Sequence, residues 1–149
     1  GLVGVVKSVS SNTSIVLLMS DPTFKIGVRI AGTQSIGVVL GQGGNKYLLQ
    51  LLDATGEIKV GDKLVARGSE GGRPFVPGVP VGIVTAVQSN TSSITQNADV
   101  EGISNLDRVG LVAVVVAGPK QDPRDSLIPK PAPTVTVFVT PTPSPSATN

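Results

Sequence analysis

Residues 3–14, VGVVKSVSSNTS, and residues 81–92, VGIVTAVQSNTS, are two copies of one twelve-residue phrase set 78 positions apart. Eight of the twelve positions are identical: Val3/Val81, Gly4/Gly82, Val6/Val84, Val9/Val87, Ser11/Ser89, Asn12/Asn90, Thr13/Thr91 and Ser14/Ser92. In each copy a Val-rich run ends in Ser-Asn-Thr-Ser and a new apolar run follows. β-Branched residues suit a pleated, half-buried surface, and Ser and Asn side chains bond the backbone of a turn, so each copy reads as strand, turn, strand. No shared residue is an acid, a base or a usual metal ligand, which makes the repeat architecture rather than chemistry. Asn-Thr-Ser also matches the acceptor pattern for Asn-linked glycosylation, but a turn accounts for these residues without a further role.

The rest of the chain agrees with that reading. No segment keeps helical periodicity for 11 residues or more. Eighteen glycines and twelve prolines punctuate short apolar runs, and with aromatics at 3% the core must be built from Val, Ile and Leu. Strands are expected over 2–9, 14–19, 25–30, 35–40, 46–52, 63–66, 81–87, 94–100 and 109–116. Ser20-Asp21-Pro22 stops the second run, because proline has no donor for a ladder. Gly41 to Asn45 reads as a hairpin loop needing positive φ, and Gly61-Asp62 as a tight turn into the next strand. Ile103 to Arg108 fits a short helical turn capped by Ser104 or Asn105.

The fold class is therefore all-β. Duplicated hairpins that pack about a pseudo-twofold axis give small barrels, so two small β-barrel-like lobes are expected. Residues 1–33 with 78–117 would supply three strands each to the first barrel, and 34–77 would be a second β unit inserted between them. Two sequential units, 1–77 and 78–117 with a tail strand, are the alternative. Residues 118–149 form a Pro/Ser/Thr-rich tail, mostly disordered, in which TVTVFVT (134–140) could pair onto an exposed strand edge.

Composition excludes several kinds of function. The net charge of +2 includes no dense Lys/Arg patch and few aromatics, which argues against nucleic-acid binding. Without cysteine or histidine there is no disulfide, no cysteine zinc site and no Ser-His triad. A Ser-Lys dyad would have to use Lys7, Lys59 or Lys63, and no spacing singles one out. The carboxylate pairs Glu57/Asp62 and Asp99/Glu101 sit in turn-like surroundings, and the glycine-rich stretches at 41–44 and 68–72 lack the Lys-Ser/Thr ending of a phosphate loop. No catalytic, cofactor-binding or metal-binding residue is expected. A rigid β body of this kind binds other macromolecules. Phe75 and Val76, between Pro74 and Pro77, and Tyr47 are the candidate interface anchors, whereas Phe24 is assigned to the core. The chain starts at Gly1, shows no signal peptide and has no apolar run near the ~20 residues of a membrane span, so it is read as a soluble piece of a longer protein.

The order of motifs resembles one family. Gly-x-Val-Gly-x-Val at Gly1 to Val6, Val16-Leu17-Leu18 with Asp21-Pro22, and Ile58-Lys59-Val60-Gly61-Asp62 come first. Pro80-Val81-Gly82-Ile83-Val84, Val100-Glu101 and Asn105-Leu106-Asp107-Arg108-Val109 follow. The set is similar to the MreC family of bacterial rod shape-determining proteins over roughly residues 1–117. The chain departs from the family at Pro74-Phe75-Val76-Pro77-Gly78, where Phe-Pro-Pro-Gly is usual. The resemblance implies a non-enzymatic scaffold of the cell-elongation machinery on the outer side of the cytoplasmic membrane, anchored by an N-terminal helix absent from this chain. It further implies self-association, binding to and activation of the elongation-specific class B penicillin-binding protein, and work with MreD and the actin-like MreB. A cell-wall carbohydrate-binding β module is the alternative, and it would need a row of exposed aromatics.

Overall fold

The computed structural model describes residues 1–53, 56–88 and 95–130. Among the described residues there are eight strands: β1 (Gly4–Val9), β2 (Ser14–Leu18), β3 (Lys25–Ile30), β4 (Ile36–Gly41), β5 (Lys46–Leu51), β6 (Lys63–Ala66), β7 (Pro80–Gln88) and β8 (Asn97–Gly102). The last six form a closed barrel in the order β3-β4-β5-β8-β7-β6, with every neighbouring pair antiparallel. β1 and β2 make a separate two-stranded ribbon. The chain is all-β, as the residue pattern predicts, and no helix among the described residues is long and apolar enough to cross a membrane.

The boundaries of the two β bodies differ from those expected. Residues 34–77 are not an inserted unit: β4, β5 and β6 come from that stretch and complete one barrel with β3, β7 and β8. Residues 1–24 lie outside the barrel strands. The reason is pairing. β3 bonds both β4 and β6, while β5 and β6 pair with the second-copy strands β8 and β7. The repeat dictates the local hairpin but leaves its flanking strands unspecified.

As a local unit the two copies match closely. β1–β2 pairs Gly4 with Leu18 and shifts register between Val6 and Ser8; β7–β8 pairs Gly82 with Gly102 and shifts between Val84 and Ala86, the same repeat positions. Val3 O accepts from Met19 N at 2.9 Å, and Val81 O accepts from Ile103 N at 3.1 Å, one step beyond each glycine pair. The repeated glycines have one purpose. A Cβ at Gly4 would overlap the Leu17 carbonyl, and one at Gly82 would sit 2.7 Å from the Glu101 carbonyl oxygen. The first Asn-Thr-Ser turn is closed by Ser10 N donating to Thr13 O at 2.7 Å; the second, 89–94, lies outside the described residues.

Alternation fills the barrel. Ile26, Val28 and Ile30 of β3, Val39 of β4, Tyr47, Leu49 and Leu51 of β5, Leu64 and Ala66 of β6, Val81 and Val84 of β7, and Ala98 and Val100 of β8 form one buried cluster with Met19, Phe24 and Ile58. Phe24 is thus a core residue, as expected. The turns also follow the sequence. Gly43 and Gly44 have positive φ between β4 and β5, Gly61 precedes β6, and Asp62 accepts from Lys59 N at 2.8 Å. The helical turn is a short 3₁₀ segment at Leu106–Arg108, capped by Asn105, whose side chain accepts from Asp107 N at 2.9 Å. The expected strand at 109–116 is not formed; these residues run exposed and unpaired in any described sheet.

Residues 119–130, expected to be tail, lie on the barrel. Asp122 receives both Arg29 guanidinium nitrogens, at 2.7 and 3.0 Å, and Asp125 accepts from Gly32 N at 3.0 Å. Residues 131–149, including the 134–140 run, fall outside the described residues.

Two outcomes follow from this packing. Gly82→Ala should lower stability by about 1–3 kcal/mol in urea unfolding, because the new methyl would meet both the buried Val100 side chain at 2.5 Å and the Glu101 carbonyl oxygen at 2.7 Å. Gly27→Ala, with nothing within 4 Å of the new Cβ, should stay within about 0.5 kcal/mol. The hydrogen bonds from Arg29 hold the Asp122 carboxyl below the ordinary aspartate range, helped by the Arg124 backbone N–H. Its contribution is therefore present above the unfolded aspartate pKa and lost as pH falls through the depressed folded value. Carbon-detected NMR titration of Asp122 should give a midpoint below about 3.9; a midpoint at or above it would show that the pair does not form in solution.

Candidate partner-binding surface

Of the three expected anchors, the fold separates Tyr47 from the other two. Tyr47 is 2% exposed and faces the barrel core, because it falls on the inward phase of β5. Its hydroxyl donates to Asn45 Oδ1 at 3.4 Å, and its ring lies where a Cβ on Gly102 would be. Tyr47 is a core residue and not an interface anchor. Burial pushes its phenol pKa up, and the charge of Asp107 adds to that.

Phe75 and Val76 sit together on the 68–78 loop. Gly68, Gly71, Gly72 and Gly78 have positive φ there, and Ser69 N donates to Phe75 O at 2.9 Å, so the loop has a defined path. Phe75 packs edge-on against Phe24, with ring centroids 5.7 Å apart and planes at 77°. It is half-buried, with one side against the core and the other toward the groove. Val76 is also half-buried and lines the same groove.

That groove, about 1310 Å³, runs between the ribbon, the Phe75 loop and residues 104–118. Val5 and Leu17 on one face of the ribbon pack against the core cluster. The opposite face carries Val6, Val16 and Leu18, all exposed, with Val9 at 77% near the tip. Across the groove Leu111 is 95% exposed, and Val112, Val114, Val115 and Val116 are exposed beside it. An exposed apolar face of this kind is a candidate interaction site. The strands add a second invitation: β7 and β8 are flanked on both sides in the barrel, whereas β1 and β2 have no third strand among the described residues.

The ribbon was not among the expected anchors, although the signal was present. Ser14 to Met19, SIVLLM, is apolar on both phases, so one strand face is covered by the core and the other needs a cover of its own.

The charged groups are dispersed. Lys59 pairs with Glu57 at 3.2 Å on the surface, Asp62 closes its own turn, and Asp99 accepts from Gln88 at 2.8 Å. Among the described residues no three His, Cys, Asp or Glu side chains converge to hold a metal ion. What the site offers is apolar area, free strand edges and a stiff aromatic loop, which is the equipment of a protein-binding β body.

Known proteins give that body its family. Residues 1–116 match the model described as "Rod shape-determining protein MreC, barrel core", and the chain belongs to the MreC family. It is 32% identical over 116 residues to the cell shape-determining protein MreC of Haemophilus influenzae, covering 77% of this chain and 32% of that protein. It is 34% identical over 110 residues to MreC of Escherichia coli K12, covering 71% and 29%. The chain thus spans about a third of the length of these curated relatives. Among solved structures, MreC from Pseudomonas aeruginosa superposes with a TM-score of 0.62 at 30% identity, over 72% of this chain and 69% of that one. The major periplasmic domain of the cell shape-determining filament MreC gives 0.53 at 28%, over 70% and 65%. A complex between Penicillin-Binding Protein (PBP2) and MreC from Helicobacter pylori gives 0.50 at 20% identity, over 68% and 61%, a likeness of fold.

The placement of Tyr47 has a direct check. It is the single tyrosine of the chain, so alkaline absorbance reports it alone. Its midpoint should lie above the ordinary phenol value near 10, with stability present below the unfolded pKa and lost as pH rises through the folded one. An ordinary midpoint in the folded protein would put the ring at the surface after all.

Proposed function

We propose that this chain is the binding body of a non-enzymatic scaffold in the bacterial cell-elongation complex, working on the extracytoplasmic face of the cytoplasmic membrane. Its partner is the class B penicillin-binding protein of elongation, the peptidoglycan transpeptidase. The observation that carries this reading is the uncovered apolar face of the β1–β2 ribbon opposite Leu111 to Val116, with Phe75 and Val76 at its border. Family membership supports the cell-shape role, the Helicobacter pylori complex supports a penicillin-binding partner, and the periplasmic likeness supports the location.

The scaffold activates by preferential binding. A transpeptidase that exchanges between two conformations is shifted toward whichever one the ribbon and loop bind better, by no more than the difference in affinity. No acid, base or nucleophile of this chain is required for that. The full protein is held at the membrane by an N-terminal helix and works with MreD and MreB through parts that this chain does not span. Copies also self-associate. The carbohydrate-binding alternative has little to stand on among the described residues: Phe24 and Tyr47 are buried and Phe75 is half-buried, so no aromatic row faces a glycan.

The test is direct binding of the purified chain to the extracytoplasmic part of the same organism's elongation transpeptidase, with soluble peptidoglycan fragments as the competing ligand. Saturable binding at micromolar concentration or below is expected for the transpeptidase and not for the fragments. Val9→Asp and Val16→Asp place charges on the exposed ribbon face, and each should weaken binding by about tenfold or more while leaving thermal stability nearly unchanged. Phe75→Ala and Val76→Ala test the loop in the same assay. Binding that is indifferent to all four substitutions would move the interface elsewhere, and saturable binding to the glycan alone would replace the scaffold reading.

A further inference from the structure

Side chains of a barrel strand alternate between core and solvent. Ile26, Val28 and Ile30 of β3 belong to the core cluster, which turns Arg29 outward; Leu64 and Ala66 of β6 belong to it, which turns Val65 outward. Arg29 and Val65 are directly opposed across the β3–β6 pairing. Both ought to be solvated. Instead Arg29 is 5% exposed and Val65 is 0%. An outward arginine on a small barrel is buried only when something lies on it, and what lies on this one is the segment 119–130.

The segment sits there as a ligand sits in a site. Asp122 grips the Arg29 fork with both carboxylate oxygens, and Asp125 takes the Gly32 N–H and faces the Gln34 side-chain amide at 3.3 Å. Pro123 between them packs so closely on Gly78 that a Cβ there would overlap its ring. Lys63 Nζ donates to Pro129 O at 3.3 Å. The segment's backbone hydrogen bonds are its own, Ser126 N to Pro123 O and Ile128 N to Asp125 O, both at 3.1 Å. The bonds that join it to the barrel each use a side chain, so the segment can lift away without breaking a β ladder. What it covers is a planar arginine fork, a group enriched in binding hot spots. Even with the segment in place, the buried Arg29 Nε has no hydrogen-bond partner, so the site can take one more acceptor than its present occupant supplies.

We propose that the outer face of the β3–β6 seam is a docking site for a carboxylate-bearing turn of a partner protein, spaced Asp-x-x-Asp, and that residues 119–130 are its built-in competitor. The first carboxylate meets Arg29 and the second meets Gly32 N–H and Gln34. The residue after the first carboxylate must be flat enough to lie on Gly78. A partner carrying that turn displaces the strap from Arg29, Gly32 and Gln34. This site lies on the barrel wall, apart from the ribbon face, and its test does not involve the transpeptidase.

The probe is a labelled peptide of residues 119–130, PKQDPRDSLIPK, and the protein is the full chain. The double variant Asp122→Asn/Asp125→Asn should free the strap, read as tryptic cleavage after Arg124 that is faster by about tenfold or more. It should also bind the peptide at least about tenfold more tightly than the unaltered chain, whose tethered copy competes at an effective concentration near millimolar. Adding Arg29→Lys keeps the charge and removes the fork, and should return peptide binding to the weak level of the unaltered chain. A peptide with both aspartates changed to asparagine should not bind the double variant. The proposal is overturned if Arg124 is cleaved no faster in the double variant. It is equally overturned if the freed site binds the peptide no better than the unaltered chain, or if the asparagine peptide binds as well as the native one.

Discussion

Everything in this molecule depends on β6 closing against β3. Three residue pairs make the seam, Val28 with Ala66, Arg29 with Val65 and Ile30 with Leu64. Without it the chain would be a curled sheet with two bare edges, the form most exposed to wrong pairing. With it, the inward residues of six short strands share one aliphatic cluster, and no barrel strand has a free side. The seam is also non-local, joining segments more than thirty residues apart, so its loop entropy is recovered only when the whole core forms. The seam's outer side is put to use as well: Arg29 and Val65 become a surface fine enough to hold a strap.

The ends of the barrel follow from the same closure. Residues 19–24 cross the end of β4, where Gly43 N donates to Ser20 O at 3.0 Å and a Cβ on Gly41 would strike the Asp21 carbonyl. Met19 and Phe24 plug the core from that segment, and Phe75 leans on Phe24. One apolar contact thus connects the barrel interior, the ribbon that ends at Leu18 and the loop expected to meet a partner. A binding surface built on such a contact is stiff, which lowers the entropy that binding must offset.

The local structure was legible because its signals are local. Asp21-Pro22, Gly43-Gly44, Gly61-Asp62 and Asn105 each fix a turn or cap through their own backbone preferences, and each stands where the residues indicate. Pairing between distant strands has no such signature. Nothing in Lys63 to Ala66 says that Leu64 will face Ile30, and so the partition into 1–33 with 78–117 against 34–77 failed although its strands were mostly right. Tyr47 failed for a related reason: the phase of β5, KYLLQL, is ambiguous when Leu48 and Leu49 are both apolar, and only the register with β4 and β8 turns Tyr47 inward. The strap was hidden behind its prolines. Five prolines from 119 to 133 forbid a ladder, but they do not forbid a segment held by Asp122 and Asp125 side chains.

The repeat carries the functional argument to its end. At the end that begins each phrase its two copies pair alike, with the same glycine contact, the same register shift and the same hydrogen bond one step beyond the glycine pair. The second copy finds β6 on one side and β5 on the other, and in that setting it is barrel wall. In β8 the residues facing that hairpin read Asn-Ala-Asp-Val-Glu-Gly, polar where they meet water; in β2 they read Ser-Ile-Val-Leu-Leu, apolar on both faces. The difference lies in the second strand of each hairpin, not in the duplicated phrase. A hairpin with unpaired edges and apolar residues on both faces is stable only with a further cover, and among the described residues that cover is lacking. One unit, written twice, therefore serves once to complete the barrel and once to present an uncovered apolar face among the described residues.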